Sequence, residues 1–170
     1  FQTTTDSEVI AYIIVQERLR APSIEEAVSA AMDRIEGAYS LVISSPTKLI
    51  AVRDPHGFRP LCMGELLDGS VVFASESCAL NAVGAEFVRE VEPGEIVVAE
   101  GGRVTSLREN CESATSHMCI FEYIYFARPD SVLCGQSVHA ARRSAGRPRD
   151  AARAVSSAHL RGESSSCSTA

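Results

Sequence analysis

The sequence predicts an α+β fold in which two helices precede a largely antiparallel set of strands. Apolar residues recur at helical spacing through about residue 35, whereas from residue 38 short β-type runs alternate with tight-turn sequences. Strands joined by such short turns must be mostly antiparallel, because a parallel pair needs a long crossover. Apolar residues on both sides of several runs further indicate sheets that are covered on both faces.

Capping sequences mark the starts of both helices. Ser or Thr followed three residues later by Glu occurs at Thr5 and again at Ser23. The first predicts a helix over about residues 7–19. The second predicts a helix that begins after Ser23 and stops at Gly37, because glycine commonly ends a helix.

Six β-type runs follow, and the segments between them are rich in Pro, Gly, Asp and Ser. They cover residues 38–45, 48–54, 61–66, 71–76, 95–100 and 103–108. A short helix is expected at "SCALNAVG", residues 77–84, between the fourth and fifth runs.

The end of the chain changes character twice. The apolar and aromatic run "CIFEYIYFARPDS", residues 119–131, predicts a buried segment, and "SVHAARR", residues 137–143, resembles the first turns of a helix. Ser, Ala and Arg then dominate, and they cannot build a core. We therefore expect a disordered or out-of-frame tail over residues 147–170.

Composition excludes several classes of protein. The net charge of −6 argues against nucleic acid or an anionic membrane as a partner. No apolar stretch approaches the roughly 20 residues that a membrane-spanning helix needs, so we expect a cytoplasmic protein. The six cysteines form no C-x-x-C pair, which predicts free thiols buried as small hydrophobic groups.

Asp6, at the start of the first predicted helix, has two interpretations. It can cap backbone N–H groups, as Asp commonly does at a helix N-terminus. It can also offer its carboxylate to the ammonium group of a ligand from the end of a rigid element. The residues alone favour the cap.

The stretch "RDPHGFRPL", residues 53–61, could be a catalytic cluster, a phosphate grip or a turn. Pro55 fixes φ, Gly57 accepts a positive φ, and Asp54 can bond the amides of the turn, so we predict a β-hairpin connection. The arginines could still clamp a carboxylate or pair with Asp54. The roles left open are those of Arg53, His56 and Arg59.

Metal ligation has little support from spacing. Cys111, Cys119 and Cys134 lie too far apart in sequence for the short pairs typical of metal clusters, so the residues alone favour packing thiols. The phosphate-binding, dinucleotide-binding, zinc-protease and serine-hydrolase motifs are also missing from the sequence.

Taken together, six stretches resemble the amidophosphoribosyltransferase family of glutamine-dependent enzymes, in order from residue 1 to about 143. Other class II glutamine amidotransferases, such as the hexosamine-forming enzyme, share the earlier motifs in looser form, but "CIFEYIYFARPDS" is much more specific. An alternative from another class is a non-catalytic module that binds glutamine and regulates a partner. The stretches are "FQTTTDSEVI", "GAYSLVI", "AVRDPHGFRPLCMG", "FASESCAL", "VEPGEIVV" and "CIFEYIYFARPDS" with "SVHAARR".

The resemblance implies a partial four-layer α-β-β-α sandwich of the N-terminal-nucleophile hydrolase type, followed by the start of an α/β phosphoribosyltransferase domain. On this basis we expect a glutaminase domain lacking its N-terminal part over residues 1–110 and a linker with the first transferase elements over residues 111–146. The family's Cys nucleophile, the Arg that holds the substrate carboxylate and the oxyanion donors would precede Phe1, so we expect an internal fragment that is inactive alone, with no catalytic residue in this chain.

The same resemblance assigns two residues and the partners. Asp6 matches the family's Asp that receives the glutamine α-ammonium group, which reverses the preference for a simple cap. Cys119 matches the first ligand of the 4Fe-4S cluster that some members bear. The parent would use glutamine, phosphoribosyl pyrophosphate and Mg²⁺ and would form a homo-oligomer; we expect this fragment to bind none of the cofactors.

Overall fold

A computed structural model describes residues 3–111 and 116–145. The helices are α1 (Asp6–Arg18), α2 (Ile24–Met32), α3 (Ser77–Val83) and α4 (Val138–Ala145), with a 3₁₀ turn at Glu109–Cys111 and a π-helix at Glu122–Phe126. The strands are β1 (Ser40–Ser44), β2 (Lys48–Arg53), β3 (Cys62–Glu65), β4 (Val71–Ala74), β5 (Glu86–Glu90), β6 (Ile96–Glu100), β7 (Arg103–Leu107), β8 (Val132–Leu133) and β9 (Gln136–Ser137). The prediction for residues 147–170 lies outside the described residues.

The chain divides into two compact units. Unit 1 comprises Phe1–Arg59 and Val91–Thr115, and unit 2 comprises Pro60–Glu90 and Ser116–Ala170. Unit 1 contains an antiparallel sheet in the order β1-β2-β6-β7. Unit 2 contains an antiparallel sheet in the order β4-β3-β5 and the small β8-β9 pair. The predicted α+β class with antiparallel sheets is therefore confirmed.

Helices α1 and α2 pack on the sheet of unit 1. Ile50 and Val52 of β2 face these helices and are fully buried. Their neighbours Ala51 and Arg53, which point to the opposite face, are buried as well, so β2 is covered on both faces, as the apolar pattern predicts. The buried residues of this core are Ile14, Val28, Ala31, Met32, Tyr39, Ile50, Val52, Ile96 and Val98.

The two helix starts differ from the capping-box prediction. Thr5 is the N-cap of α1 but makes no capping bond through its side chain. Glu8 instead accepts hydrogen bonds from the backbone N–H and the hydroxyl of Thr3, both at 2.8 Å. At α2 the prediction holds in part, because the Ser23 hydroxyl oxygen accepts the Glu26 N–H at 3.2 Å. That helix ends at Met32, well before Gly37.

Strand β5 is absent from the sequence prediction. Its residues read "EFVRE", and Phe87 and Val88 are both exposed, at 44% and 46%. Two consecutive exposed apolar residues break the alternation by which a half-buried strand is recognised. Backbone pairing with β3 defines the strand instead.

Helix α3 packs on the sheet of unit 2. Leu80 is fully buried against Cys62 and Ala85. Gly64 in β3 allows this close packing, because a Cβ there would lie 2.8 Å from the Glu86 carbonyl oxygen and 3.0 Å from the Leu80 side chain.

The prediction that the aromatic run at residues 119–131 is buried is only partly correct. Glu122 and Ala127 are buried, joined by the bond from the Ala127 N–H to the Glu122 carbonyl that closes a π-turn. Tyr123 is partly buried against Ala127, Leu133 and Val138, whereas most of the other large apolar side chains are exposed. The apolar side chains of this run that are about half exposed or more are Ile120, Phe121, Ile124, Tyr125 and Phe126, at 49%, 57%, 55%, 78% and 49%.

Candidate functional site

Asp6 is the first residue of α1, and its side chain is exposed. One carboxylate oxygen, Oδ1, accepts the Ser7 N–H at 2.8 Å. A capping side chain would instead accept from the second or third amide of the helix. Asp6 is therefore placed at the head of the helix without the usual capping geometry.

The segment before α1 fixes the direction in which this helix begins. Thr3 bonds to Glu8 through both its backbone and its hydroxyl, and its hydroxyl also lies 2.9 Å from that of Thr5. The N-terminal end of a helix carries a partial positive charge, which stabilises a carboxylate there. An exposed Asp6 carboxylate on this rigid end can bind a ligand ammonium group at the protein surface.

The stretch at residues 53–59 is a tightly bonded turn. The Asp54 carboxylate is fully buried and accepts N–H groups from His56 at 2.9 Å and Phe58 at 3.1 Å. Gly57 has a φ of +60°, and a Cβ there would lie 2.7 Å from Pro93 Cγ. The turn interpretation is therefore correct in its backbone chemistry.

Arg53 has a structural role in this turn. Arg53 is 3% exposed, and its guanidinium group donates to the carbonyl oxygens of Arg59 at 2.9 Å, Val91 at 2.6 Å and Gly57 at 3.1 Å. These three hydrogen bonds join the Arg53 side chain to the backbone of the turn and to the backbone at Val91. His56 is exposed at the tip, with its ring 5.4 Å from that of Phe58.

The predicted hairpin at this turn is wrong. Strand β2 pairs with β1 and β6, whereas β3 pairs with β4 and β5. The turn thus connects strands of two different sheets. Pro and Gly in sequence specify a reversal of the backbone, but they do not specify which strands become hydrogen-bonded partners.

The cysteines are less uniformly buried than predicted. Cys62 is buried, and burial, with the nearby Glu90 charge, raises the pKa of its thiol to about 11. Cys134 is exposed, while Cys119 is half-buried in unit 2. No group of three metal-binding His, Cys, Asp or Glu side chains occurs within residues 3–111 and 116–145. Cys119 therefore has no complete metal site around it in this part of the chain.

A cavity of about 820 Å³ lies within unit 1, between α2 and strands β6 and β7. Glu25, Lys48, Arg103 and Asn110 are among its lining residues, and Asp6 is not. Lys48 bonds to Glu25 at 2.5 Å and lies 3.6 Å from Glu100. The first pair joins α2 to the sheet and the second joins β2 to β6, which gives both ion pairs a structural explanation.

Sequence reasoning missed the polar side chains that hold residues 128–134. Glu76 accepts the Arg128 N–H at 2.7 Å and the Ser131 hydroxyl at 2.6 Å, and Ser77 accepts the Val132 N–H at 2.9 Å. Adjacent polar residues between a strand and a helix, in "FASESCAL", were the available signal. Their partners lie more than 50 residues away, which no local pattern reveals.

No helix among the described residues is long and apolar enough to cross a membrane. Residues 1–82 match a family model described as a glutamine amidotransferase domain. The chain is also 44% identical over 149 residues to an amidophosphoribosyltransferase of Rhizobium etli, covering 85% of this chain and 29% of the relative. The corresponding enzyme of Methanocaldococcus jannaschii is 40% identical over 161 residues, with coverage of 86% and 34%.

The chain is also similar to a solved structure of an enzyme of this kind. The Bacillus subtilis glutamine phosphoribosylpyrophosphate amidotransferase, complexed with ADP and GMP, superimposes with a TM-score of 0.78 at 38% identity and covers 86% of this chain and 31% of that one. The chain thus spans about a third of the length of the relatives it matches.

Proposed function

We propose that this chain, which belongs to the amidophosphoribosyltransferase family, is part of an enzyme that transfers ammonia from glutamine to phosphoribosyl pyrophosphate. One observation carries the proposal. The similarity to amidophosphoribosyltransferases covers 85% of the chain, whereas the general glutamine amidotransferase domain matches residues 1–82 only. The likeness therefore extends past the part that class II amidotransferases share. The fold is that of the glutaminase domain in these enzymes, an N-terminal-nucleophile hydrolase.

The proposed reaction has two balanced steps. Water hydrolyses the side-chain amide of glutamine, giving glutamate and ammonia. The nitrogen lone pair of ammonia then attacks C1 of the ribose, the bond from C1 to the pyrophosphate oxygen breaks, and pyrophosphate leaves with that electron pair. The new amine loses a proton to solvent, which yields phosphoribosylamine. Such a reaction is the first step of purine synthesis.

Asp6 has the role of binding the glutamine α-ammonium group. Its exposed carboxylate stands at the head of α1, with Oδ1 bonded to the adjacent Ser7 N–H. A charge-assisted bond to an ammonium group contributes more than a neutral hydrogen bond. This role is one of substrate binding and not of nucleophilic attack.

The metal groups proposed for the full-length enzyme are Mg²⁺ and a 4Fe-4S cluster. Cys119 would supply one cluster ligand, but the described residues do not complete a cluster or a Mg²⁺ site. The enzyme is proposed to be cytoplasmic and homo-oligomeric, although relatives from Arabidopsis thaliana and Glycine max are named as chloroplastic.

The test uses a full-length enzyme that carries this sequence. Asp6→Asn should raise the KM for glutamine about 10- to 100-fold, since one charge-assisted contact is lost. Activity with free ammonia should not change, because ammonia bypasses the glutamine site. The matched control is Ser7→Ala, which keeps the backbone N–H that bonds Asp6.

Two outcomes would refute the proposal. An unsubstituted full-length enzyme that forms no phosphoribosylamine from ammonia and phosphoribosyl pyrophosphate would disprove the reaction. An unchanged KM for glutamine in Asp6→Asn would disprove the role of Asp6. The 170-residue chain alone should release no glutamate above a protein-free control, and calorimetric glutamine binding by that chain would favour the regulatory-module alternative.

A further inference from the structure

The Glu76 carboxylate accepts hydrogen bonds from a loop that is distant in sequence. Its Oε2 atom accepts hydrogen bonds from the Arg128 N–H at 2.7 Å and from the Ser131 hydroxyl at 2.6 Å. The next residue, Ser77, accepts the Val132 N–H at 2.9 Å. We call these three bonds the clasp. Both sides of the clasp lie in unit 2, and Ser131 is fully buried.

The clasp is not a by-product of helix capping. Glu76 occupies the N-cap position of α3, but its side chain makes no capping bond to that helix. A carboxylate at this position normally bonds to the first amides of its own helix. Here it binds a segment that is more than 50 residues away in sequence.

A second carboxylate holds the segment that follows the clasp. Glu90, the last residue of β5, accepts the Cys134 N–H at 2.5 Å. Cys134 lies in the two-residue turn between β8 and β9 and has a φ of +48°, while the next residue, Gly135, has a φ of +71°. Positive φ at both positions defines a type I′ hairpin turn. Glu76 and Glu90 therefore fix two points of the same segment.

The π-helix is linked to the clasped segment by direct bonds. Arg142 of α4 donates to the carbonyl oxygens of Tyr123 at 2.6 Å and Ala127 at 2.7 Å. The Tyr123 hydroxyl donates to the Leu133 carbonyl at 2.7 Å. Displacement of the clasped loop would thus be transmitted to the π-helix and to α4.

We propose that Glu76 is a positioning residue for ammonia transfer, acting by holding residues 128–132 and, through them, the first elements of the transferase part. The inference rests on the proposed function, in which residues before 111 belong to the glutaminase part. Glu76 and Ser77 then belong to one part and their bonding partners to the other. The clasp fixes the second part on the first, and its two bonds to the Glu76 carboxylate are charge-assisted, which makes them stronger than neutral ones.

The experiment measures coupling in a full-length enzyme that carries this sequence. Three rates are compared for Glu76→Ala and Glu76→Gln: glutamate release, phosphoribosylamine formation from glutamine, and phosphoribosylamine formation from free ammonia. The matched control is Glu86→Gln, an exposed glutamate of the same unit.

Glu76→Ala should lower the ratio of glutamine-dependent to ammonia-dependent synthesis by roughly 10- to 100-fold, the range caused by small displacements of reacting groups. Glutamate release and ammonia-dependent synthesis should both stay within about twofold of the unsubstituted enzyme, because neither needs the two parts to be aligned. Glu76→Gln retains one acceptor oxygen and should restore part of the ratio. Glu86→Gln should leave all three rates unchanged.

An unchanged ratio in Glu76→Ala, or an equal fall in all three rates, would overturn the proposal and leave the clasp as an anchor for folding. If Glu76→Ala does not fold, Ser131→Ala can be used instead, because it removes only one bond of the clasp. An unchanged ratio of glutamine-dependent to ammonia-dependent synthesis in that variant would likewise overturn the proposal. Failure of the unsubstituted enzyme to use ammonia would instead refute the proposed function itself, so the two failures can be told apart.

Discussion

Two tyrosines should respond in opposite directions to the same substitution. Tyr39 is 6% exposed in the core of unit 1, and its buried hydroxyl has no hydrogen-bond partner among the described residues. Tyr123 in unit 2 donates its hydroxyl to the Leu133 carbonyl at 2.7 Å. Replacement of each by Phe deletes one oxygen atom and leaves the ring.

The size of each change in stability follows from whether the tyrosine hydroxyl has a hydrogen-bond partner. A buried polar group without a partner costs about 1–3 kcal/mol, so Tyr39→Phe should raise the free energy of unfolding by about 1 kcal/mol. Tyr123→Phe loses a hydrogen bond and leaves a carbonyl oxygen unpaired, so it should lower that free energy by about 1–2 kcal/mol.

Urea titration of the 170-residue chain, followed by far-ultraviolet circular dichroism, measures both changes. With a dependence of about 1–3 kcal/mol per molar urea, 1 kcal/mol moves the midpoint by about 0.3–1 M. Midpoints that move in the same direction, or a lower midpoint for Tyr39→Phe, would refute the reasoning.

The pH dependence provides a second test of Tyr39. Burial, together with the Asp54 and Asp33 charges, raises the pKa of Tyr39 from 10.0 to about 12. The folded protein therefore holds this proton more tightly than the unfolded chain, and the resulting stability is lost as the pH rises from 10 to 12. The advantage of Tyr39→Phe should grow over that interval; a constant difference would contradict the assignment.

Three further substitutions test other contacts. Arg53→Lys should lower the free energy of unfolding by about 2–4 kcal/mol, because one ammonium group cannot replace a guanidinium bound to three carbonyls; a loss below about 1 kcal/mol in urea would argue against this. Cys134→Asn should raise the thermal midpoint by about 2–4 °C, since Asn tolerates a positive φ better; calorimetry showing no rise would count against it. Glu25→Gln should cost less than about 1 kcal/mol at pH 7. Burial is the largest single effect and raises the pKa of Glu25, but the Lys48 hydrogen bond and charge, the backbone hydrogen bond and the Ser23 hydrogen bond together outweigh it and hold that pKa below 4.5. The benefit of Glu25 should therefore be lost as the pH falls through the lowered pKa. A difference that does not shrink as the pH falls would be inconsistent with this pairing.

Local patterns were sufficient for most of unit 1. Apolar spacing predicted α1 and α2, and the alternation after residue 38 predicted β1, β2, β6 and β7. These elements bury one continuous core, so local pattern and tertiary packing agree. The connection at residues 53–61 was misread because turn residues specify a reversal and not the partners of the strands that follow.

Unit 2 was harder to predict for a different reason. Strand β5 depends on pairing with β3 and exposes two adjacent apolar residues, so it has no period-two pattern. The π-helix buries a glutamate and exposes most of its aromatic side chains, which reverses the usual rule. The ligand role of Asp6 came from the family resemblance and stays a prediction, whereas Glu76 and Glu90 became visible only through partners distant in sequence.

The way the chain alternates between units has a consequence for its synthesis. Lys48 of β2 pairs with Glu100 of β6, roughly 50 residues further along the chain. Ribosomes add about 5–20 residues per second, so β2 emerges about 3–10 s before its partner. During that interval the nascent chain carries an unpaired strand edge, and Arg53 lacks the Val91 carbonyl that it binds in the finished fold. A protein chaperone that shields this edge during translation would improve the yield of folded chain more than one added after release.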